Sequence, residues 1–401
     1  MMAEVYELNP WKHQLQQGDR GPKKNLTNLM LHLRNLDGLG KQLRFNEMTH
    51  QAEWQGRPIE DPDFIDIRLI IERAGFQTAD KDVRPAVDRV ARENSYNPVG
   101  EYLTSLTWDG TARLDRWMIR LMGAPDTAFV RCISPKVLIS AVARALDPGC
   151  QVDTVLVLEG EQGIKKSSAI AALFGREFTR ESVSLFGNQQ KMVMNMMGGW
   201  VVELAEFMAV LGNQNAKGMI TMRYDTIVLP YAKAASTHPR RSVMFATINP
   251  GTTGYLEDAT GNRRFWPVQV QKIDLDGIKE RRDQLWAEAL HRYRDGERWW
   301  LEGDENKLAG EEQDERGEED AWTEPLRRKL EEEEARRGRP VNFITVDEAM
   351  TLLGIPHERK DKKAQMRAAT AIKEAGFERK KLRPEAPPGG VKGKPRWCWT
   401  R

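Results

Sequence analysis

The stretch "DTVLVLEGEQGIKKSSAIAALFG", residues 153–175, decides the fold of this chain. It begins with a short apolar run, passes through a loop with two glycines, and ends in a run of helix-forming residues. A phosphate-binding loop of the form G-x-x-x-x-G-K-[ST] leaves a buried strand and enters a helix in this way. The order strand, loop and helix therefore predicts a nucleotide-binding α/β domain.

The loop departs from that pattern at one position. Gly160 opens the loop and Lys166 and Ser167 close it, but Lys165 stands where the second glycine is expected. Two outcomes are open: the backbone takes a negative φ at Lys165, or the loop is distorted and binds weakly. The predicted binding residues for ATP and Mg²⁺ are Gly160, Gly163, Lys165, Lys166, Ser167 and Ser168.

Polar residues lie at the ends of the other apolar runs. Glu203 and Glu206 follow "WVV", Asn249 ends "SVMFATIN", and Arg263 and Arg264 precede "FWPVQV". A magnesium-dependent NTPase needs carboxylates for the metal or the attacking water, and cations for the transition state. The plain alternatives are surface glutamates, an asparagine that caps a turn, and surface charge. Their order along the chain favours catalytic roles.

Composition limits the class of protein. Of the 401 residues, 40% are hydrophobic and 30% are charged, which is typical of a soluble chain with a sizeable core. The net charge of +2 indicates no particular partner. The three cysteines are isolated, which argues against a disulfide framework or a zinc site and fits a reducing cytoplasm. The chain has no apolar run of 18 residues, so we expect no membrane span.

Shifts in composition predict four regions. Residues 1–145 have helical periodicity and form a collar or docking region, and 146–300 hold buried strands of a parallel sheet, which is the P-loop ATPase core. Residues 301–340 are a charged helical linker. Residues 341–401 show the order helix, helix, basic hairpin of a winged helix, and 359–401 carry 14 Lys and Arg against 4 Asp and Glu. This local charge suits a DNA backbone.

Four segments carry a family resemblance: "WDGTARLDRW", "LEGEQGIKKSS", "WVVELAEF" and "LEDATGNRRFWPV". Over roughly 85–300, the chain resembles the virulence-associated E family of phage- and prophage-encoded proteins, whose ATPase core is similar to AAA+ superfamily-3 helicases. The resemblance implies a ring-forming homo-oligomer, a hexamer, that hydrolyses ATP and moves on single-stranded DNA. It implies a role in phage or mobile-element replication, with origin duplex as a further ligand and a primase or polymerase as a further partner.

The resemblance also implies roles for residues. Lys166 and Ser167 match the first motif, and Glu203 and Glu206 match the acidic second motif. Ser167 and Glu203 are the predicted metal ligands and Glu206 is favoured as base, although the assignment between the two glutamates stays open. The sensor asparagine matches Asn249, and a finger that acts on a neighbouring subunit matches Arg263 or Arg264.

The predicted DNA contacts fall in two basic stretches. In superfamily-3 motors, the region that corresponds to "RYDTIVLPYAKAASTHPRRS", 223–242, carries a hairpin that projects into the ring channel. An aromatic side chain among cations suits single-stranded DNA, although an ordinary basic loop is the alternative. The candidates are Arg223, Tyr231, Lys233, Arg240 and Arg241 in this stretch, with Lys380, Lys381 and Arg383 in the C-terminal hairpin.

Two other functions remain open. One is a DNA-binding initiator or switch that binds ATP with little turnover, for which Lys165 is the argument. The other is a phosphotransferase that acts on a small molecule, against which the paired arginines and the basic C-terminal end speak.

Overall fold

The computed structural model describes most of the chain, and its residues divide into two compact units. One unit contains the described residues up to 314, and the other contains those from 316 onward. The described residues are 10–19, 21–205, 207–211, 213–228, 234–249, 262–314, 316, 322–382 and 396–401.

The amino-terminal part of the first unit is an α/β module with its own core. Apolar side chains of its helices pack on a small sheet of order β5-β4-β3-β6, with Leu33, Ile67 and Val87 fully buried. Its elements are β1 Gln17–Gly18, β2 Gly21–Pro22, α1 Leu26–Asn35, β3 Leu43–Asn46, β4 Gln51–Trp54, β5 Arg57–Pro58, α2 Asp61–Arg73, α3 Asp80–Glu93 and β6 Ser95–Tyr96. The predicted helices are present, but the periodicity did not predict this sheet, whose strands are two to four residues long.

The next three helices belong to the hydrophobic core of the large parallel sheet at the centre of the first unit. These helices are α4 Pro98–Ser105, α5 Trp117–Met122 and α6 Ala128–Leu146. Their side chains, from Val99 onward, share one hydrophobic cluster with the central sheet. The predicted boundary at residue 145 therefore differs from the observed packing, because α6 is buried along almost its whole length.

The centre of this unit is a parallel sheet. Among the described residues, it has the strand order β13-β7-β12-β9-β8. The elements from here to the end of the unit are β7 Val155–Glu159, α7 Lys166–Phe174, β8 Thr179–Val183, α8 Gln189–Met196, β9 Val201–Leu204, α9 Phe207–Leu211, α10 Gln214–Thr221, β10 Tyr224–Ile227, β11 Ser236–Pro239, β12 Val243–Ile248, β13 Phe265–Gln269, α11 Leu275–Arg294 and α12 Asp304–Asp314. The fully buried β7 explains the unbroken apolar run "VLVL", because helices cover both faces of such a sheet.

The second unit has the order of a winged helix. Its elements are α13 Thr323–Arg337, β14 Phe343–Ile344, α14 Val346–Leu352, α15 Lys362–Glu374, β15 Glu378–Leu382 and β16 Arg396–Thr400. The strands form an antiparallel sheet of order β14-β16-β15.

The predicted charged linker, 301–340, is divided between the two units. Gln313 of α12 donates to the carbonyl of Phe265 at 2.8 Å, so α12 packs on the central sheet. Leu326 and Leu330 of α13 are buried in the core of the second unit. The sequence did not predict these contacts, because the two helices are highly charged and only one side chain per turn is apolar.

No helix among the residues that the structure describes is both long enough and apolar enough to span a membrane.

Candidate functional site

The loop between β7 and α7 has the shape of a phosphate-binding loop. Gly160 packs so closely that a Cβ there would lie 2.5 Å from both the carbonyl oxygen of Val270 and the Cδ1 of Ile164. Gly163 has φ of +88°. Both positions therefore need glycine, one for space and the other for backbone conformation.

Lys165 adopts the conformation expected of the glycine that it replaces. Its φ and ψ are +73° and +34°, in the left-handed region, and it caps the amino terminus of α7. The first of the two outcomes left open by the sequence, a negative φ at Lys165, is therefore not observed. A non-glycine residue pays about 1 kcal/mol or somewhat more for this conformation. The side chain of Lys165 is exposed, so only its backbone is held in place.

The ammonium of Lys166 is buried among neutral oxygens. Its Nζ donates to the carbonyls of Gly160 at 2.5 Å and Glu161 at 2.9 Å, and to Oδ1 of Asn249 at 3.3 Å. Only 9% of the residue is exposed, and this burial lowers the pKa of Lys166, against which the negative charge of Glu203 acts. The charge of a buried cation with neutral partners is only partly compensated, and a bound anion such as phosphate would compensate the rest.

Glu203 forms the second part of the site. It lies on β9 and is buried, and its Oε1 accepts hydrogen bonds from Ser167 Oγ at 2.7 Å and Thr247 Oγ1 at 2.9 Å. The parallel register between β9 and β12 brings these side chains together, because both strands point their carboxyl ends toward the loop. The hydroxyl and carboxylate oxygens form a hard donor set that suits Mg²⁺.

Sequence analysis missed Thr247. The signal was the polar residue inside "MFATIN", where an apolar side chain would continue the buried run. Thr247 donates to the same carboxylate oxygen of Glu203 as Ser167 does, so both hydroxyls orient the carboxylate.

The other predicted site residues around the loop occupy different places. Asn249 follows β12 at the carboxyl edge of the sheet and contacts Lys166. Ser168 is exposed on the first turn of α7. Glu206 lies outside the described residues.

Arg263 and Arg264 lie at the opposite edge of the sheet. They immediately precede Phe265, which is level with Val155 at the start of β7, whereas the loop follows the end of β7. A five-residue strand separates the two edges by roughly 16 Å. These arginines are therefore far from Lys166 of the same chain.

The predicted DNA-contacting residues between 223 and 242 lie in different environments. β10 and β11 form an antiparallel pair, as the resemblance implies, while Tyr231 and Lys233 between them lie outside the described residues. Arg223 is exposed and donates from Nε to the carbonyl of Gly149 at 2.5 Å.

Arg240 and Arg241 differ from the expectation of free DNA-contacting cations. The Arg240 side chain is 3% exposed and binds Asp225 through Nη2 at 2.6 Å and Nε at 3.0 Å. Arg241 donates to Glu47 at 2.6 Å, and burial lowers its pKa. Arg240 is buried and Arg241 is half-buried, and both are paired with carboxylates, which a basic sequence pattern does not reveal.

In the second unit, Lys380 is exposed on β15 and pairs with Glu378 at 3.1 Å. The side chain of Lys381 and the whole of Arg383 lie outside the described residues. Across the part of the chain that the structure describes, there is no group of three or more His, Cys, Asp or Glu side chains placed to hold a metal.

This loop, its buried lysine and the paired carboxylate define a P-loop α/β domain. The chain belongs to the family defined by the virulence-associated protein E-like domain, which matches residues 103–318. The match begins near α4, where the core of the central sheet also begins.

Comparison with solved structures gives weaker likenesses. An apo structure of the NrS-1 C-terminal region is 12% identical, with 89% of this chain and 96% of that chain covered and a TM-score of 0.43. The X-ray structure of JCV helicase is 14% identical, with 70% and 82% covered and a TM-score of 0.27. We draw no functional conclusion from likenesses this weak. No relative was found among curated proteins by sequence.

Proposed function

We propose that the chain is a magnesium-dependent ATPase that moves on single-stranded DNA during replication of a phage or mobile element. The observation that carries the proposal is the buried ammonium of Lys166, which has neutral oxygen partners beside a carboxylate that is already oriented. The family match to the virulence-associated protein E-like domain supports it. The compartment that fits this role is the cytoplasm of a bacterial host.

Each residue of the site has a proposed task. Lys166 would bind the β and γ phosphates of the nucleotide, and Ser167 and Glu203 would hold the metal. When bound, Mg²⁺ neutralises phosphate charge and ATP supplies the group that is transferred. Asn249 orients the attacking water, and Glu206 is the proposed base.

The test is ATP hydrolysis by the full chain, with and without single-stranded DNA, beside Glu203→Gln. The variant keeps the size of the side chain but loses the charge, so we expect turnover to fall by about 100-fold or more. DNA-stimulated turnover that disappears in the variant supports the motor. Equal turnover in both proteins would remove Glu203 from the mechanism.

The position of Arg263 and Arg264 supports the proposed ring oligomer. Since they lie at the amino edge of the sheet, a catalytic role requires the site of a neighbouring subunit, as in a hexameric ring. Mixing Arg264→Ala with Glu203→Gln would then restore part of the turnover, because each variant supplies what the other lacks. Arg263→Ala receives the same test. Normal hydrolysis by both single arginine variants would rule out the finger.

DNA contact is proposed for two surfaces. Arg223, with Tyr231 and Lys233, contacts single-stranded DNA, and the second unit contacts duplex DNA through Lys380, Lys381 and Arg383. Replacing both lysines by alanine should reduce the salt slope of duplex binding by about one to two. An unchanged slope would exclude this hairpin. We also propose that the amino-terminal module binds a primase or polymerase.

One observation favours a second function. The strained backbone of Lys165 would be consistent with a loop that binds ATP but turns it over slowly. The chain would then be an ATP-dependent switch or initiator on DNA. ATP binding without DNA-stimulated turnover in the same experiment would favour this function.

A further inference from the structure

The segment "WDGTARLDRW", residues 108–117, has no part in the site described above. It is nevertheless held rigidly. Arg113 forms two hydrogen bonds of 2.7 Å to the carboxylate of Asp109. The backbone N–H groups of Arg113 and Leu114 donate to the fully buried Glu288 of α11 at 2.6 and 3.1 Å. This segment and α11 therefore form one wall of fixed shape.

A cavity of about 310 Å³ lies between this segment, α5 and α11. Its lining includes the apolar side chains of Trp117, Leu121 and Leu285, which are almost completely buried. The volume is at the lower end of the range for small-molecule sites. The apolar part of the lining suits a flat, uncharged group rather than a chain of phosphates.

Polar side chains form the rest of the lining. The polar lining residues are Thr111, Asp274 and three arginines, Arg113, Arg120 and Arg281. Guanidinium planes stack on aromatic rings, and a carboxylate accepts hydrogen bonds from ring N–H or amino groups. Arg113 is already paired with Asp109. Arg120 and Arg281 therefore stand against Asp274, and this remaining excess of positive charge favours a ligand that carries negative charge nearby.

The cavity lies close to the phosphate-binding loop. The backbone N–H of Val270 donates to the carbonyl of Glu159 at 2.7 Å, and the carbonyl oxygen of Val270 would lie 2.5 Å from a Cβ on Gly160. Four residues further on, Asp274 lines the cavity and donates from its backbone to Leu121 at 2.8 Å. Four residues of chain span at most about 14 Å. The loop and the cavity are therefore close enough for one nucleotide to occupy both.

On the basis of the proposed function, we infer that this cavity holds the purine base and ribose of the nucleotide whose phosphates bind at Lys166. Arg120 and Arg281 stack on or flank the base, and Asp274 accepts from its polar edge. The segment "WDGTARLDRW" thus becomes part of the nucleotide site, as the wall that selects the base.

The experiment measures the affinities of the full chain for ATP, GTP, CTP and inorganic tripolyphosphate by competition with a fluorescent nucleotide. Arg281→Ala should weaken ATP or GTP by about tenfold, while affinity for tripolyphosphate stays the same, since stacked contacts contribute on this order. Arg120→Ala, on another helix, should act in the same direction. Lys279→Ala, an exposed residue of α11 that does not line the cavity, is the matched control.

Three results would overturn the inference. One is a wild-type chain that binds CTP as tightly as the purine nucleotides. Another is an Arg281→Ala variant that binds ATP as the wild type does, while Lys166→Ala does not; the proposed function would then stand without this base site. The third is an equal loss for ATP and tripolyphosphate, which would make Arg281 a phosphate ligand. If the wild type binds no nucleotide, both the base site and the proposed function fail.

Discussion

Lys166 and Arg240 are both buried cations in the same unit, but their partners differ. Lys166 donates to two carbonyls and one amide oxygen, all of them neutral. Arg240 donates to both oxygens of Asp225 and to the carbonyl of Met219. The charge of Arg240 is already compensated, whereas that of Lys166 is compensated only at a distance by Glu203.

The difference teaches how to recognise a binding cation inside a protein. A buried ion pair holds its elements together, and here it joins β10 to the residue that follows β11. A cation that is buried among neutral oxygens has an uncompensated cost of desolvation, which a bound anion would offset. Burial alone therefore does not distinguish a structural cation from a ligand-binding one, whereas the charge of its hydrogen-bond partners does.

The largest expected effect is that of Lys166→Ala on nucleotide binding. We expect ATP affinity to fall below detection, because the variant loses the only buried ammonium among the described residues of the loop. The free energy of unfolding should change by only about 1 kcal/mol, since the lost hydrogen bonds to neutral oxygens are offset by removal of a buried charge that is only partly compensated. Isothermal titration and urea unfolding measure the two quantities. The exposed neighbour Lys165→Ala is the matched control, and retained ATP affinity in Lys166→Ala would contradict the comparison.

Arg240→Ala should give the opposite pattern. Asp225 would be left buried without its partner, so the free energy of unfolding should fall by about 3–5 kcal/mol. Replacing the pair together, with Arg240→Met and Asp225→Leu, should recover most of that loss. Urea unfolding of the three proteins tests this, with the exposed Arg223→Ala as control. A fully stable Arg240→Ala would mean that the ion pair does not hold the hairpin.

Thr247→Val should have an intermediate effect, on turnover rather than folding. The two side chains have nearly the same shape, and the variant loses one hydrogen bond to Glu203, which contributes about 1 kcal/mol. We therefore expect kcat to fall by roughly fivefold with KM nearly unchanged. Thr226→Val, on the exposed side of β10, controls for the substitution itself. An unaltered kcat would show that Ser167 alone orients the carboxylate.

The smallest effect is expected for Lys165→Gly. Glycine removes the left-handed strain but adds freedom to the unfolded chain, and these contributions of about 1 kcal/mol oppose each other. Because Lys165 already has the glycine conformation, we expect the equilibrium constant for unfolding and the turnover number each to change less than threefold. Lys165→Ala keeps the strain and removes only the ammonium, so the pair separates the two causes. A large gain in turnover with glycine would favour the switch over the motor.

Much of the central sheet could be predicted because its signals are local. The apolar run of β7, the glycines of the loop and the helix after it are contiguous in sequence, and each has one structural interpretation. The runs that became β9, β12 and β13 were recognisable for the same reason. The amino-terminal sheet was not, because strands of two to four residues are too short to show a period of two.

The sequence alone was enough to predict the strand, loop and helix of residues 153–175, the family, and the runs that form β7, β9, β12 and β13 of the central sheet. Only the tertiary structure decided which charged residues are free to act. It paired Arg240 with Asp225, joined Thr247 to Glu203 across two strands, and put Arg263 at the edge of the sheet opposite Lys166. The physical reason is that a charge pattern records residue type, whereas compensation of a buried charge depends on contacts between residues far apart in the chain.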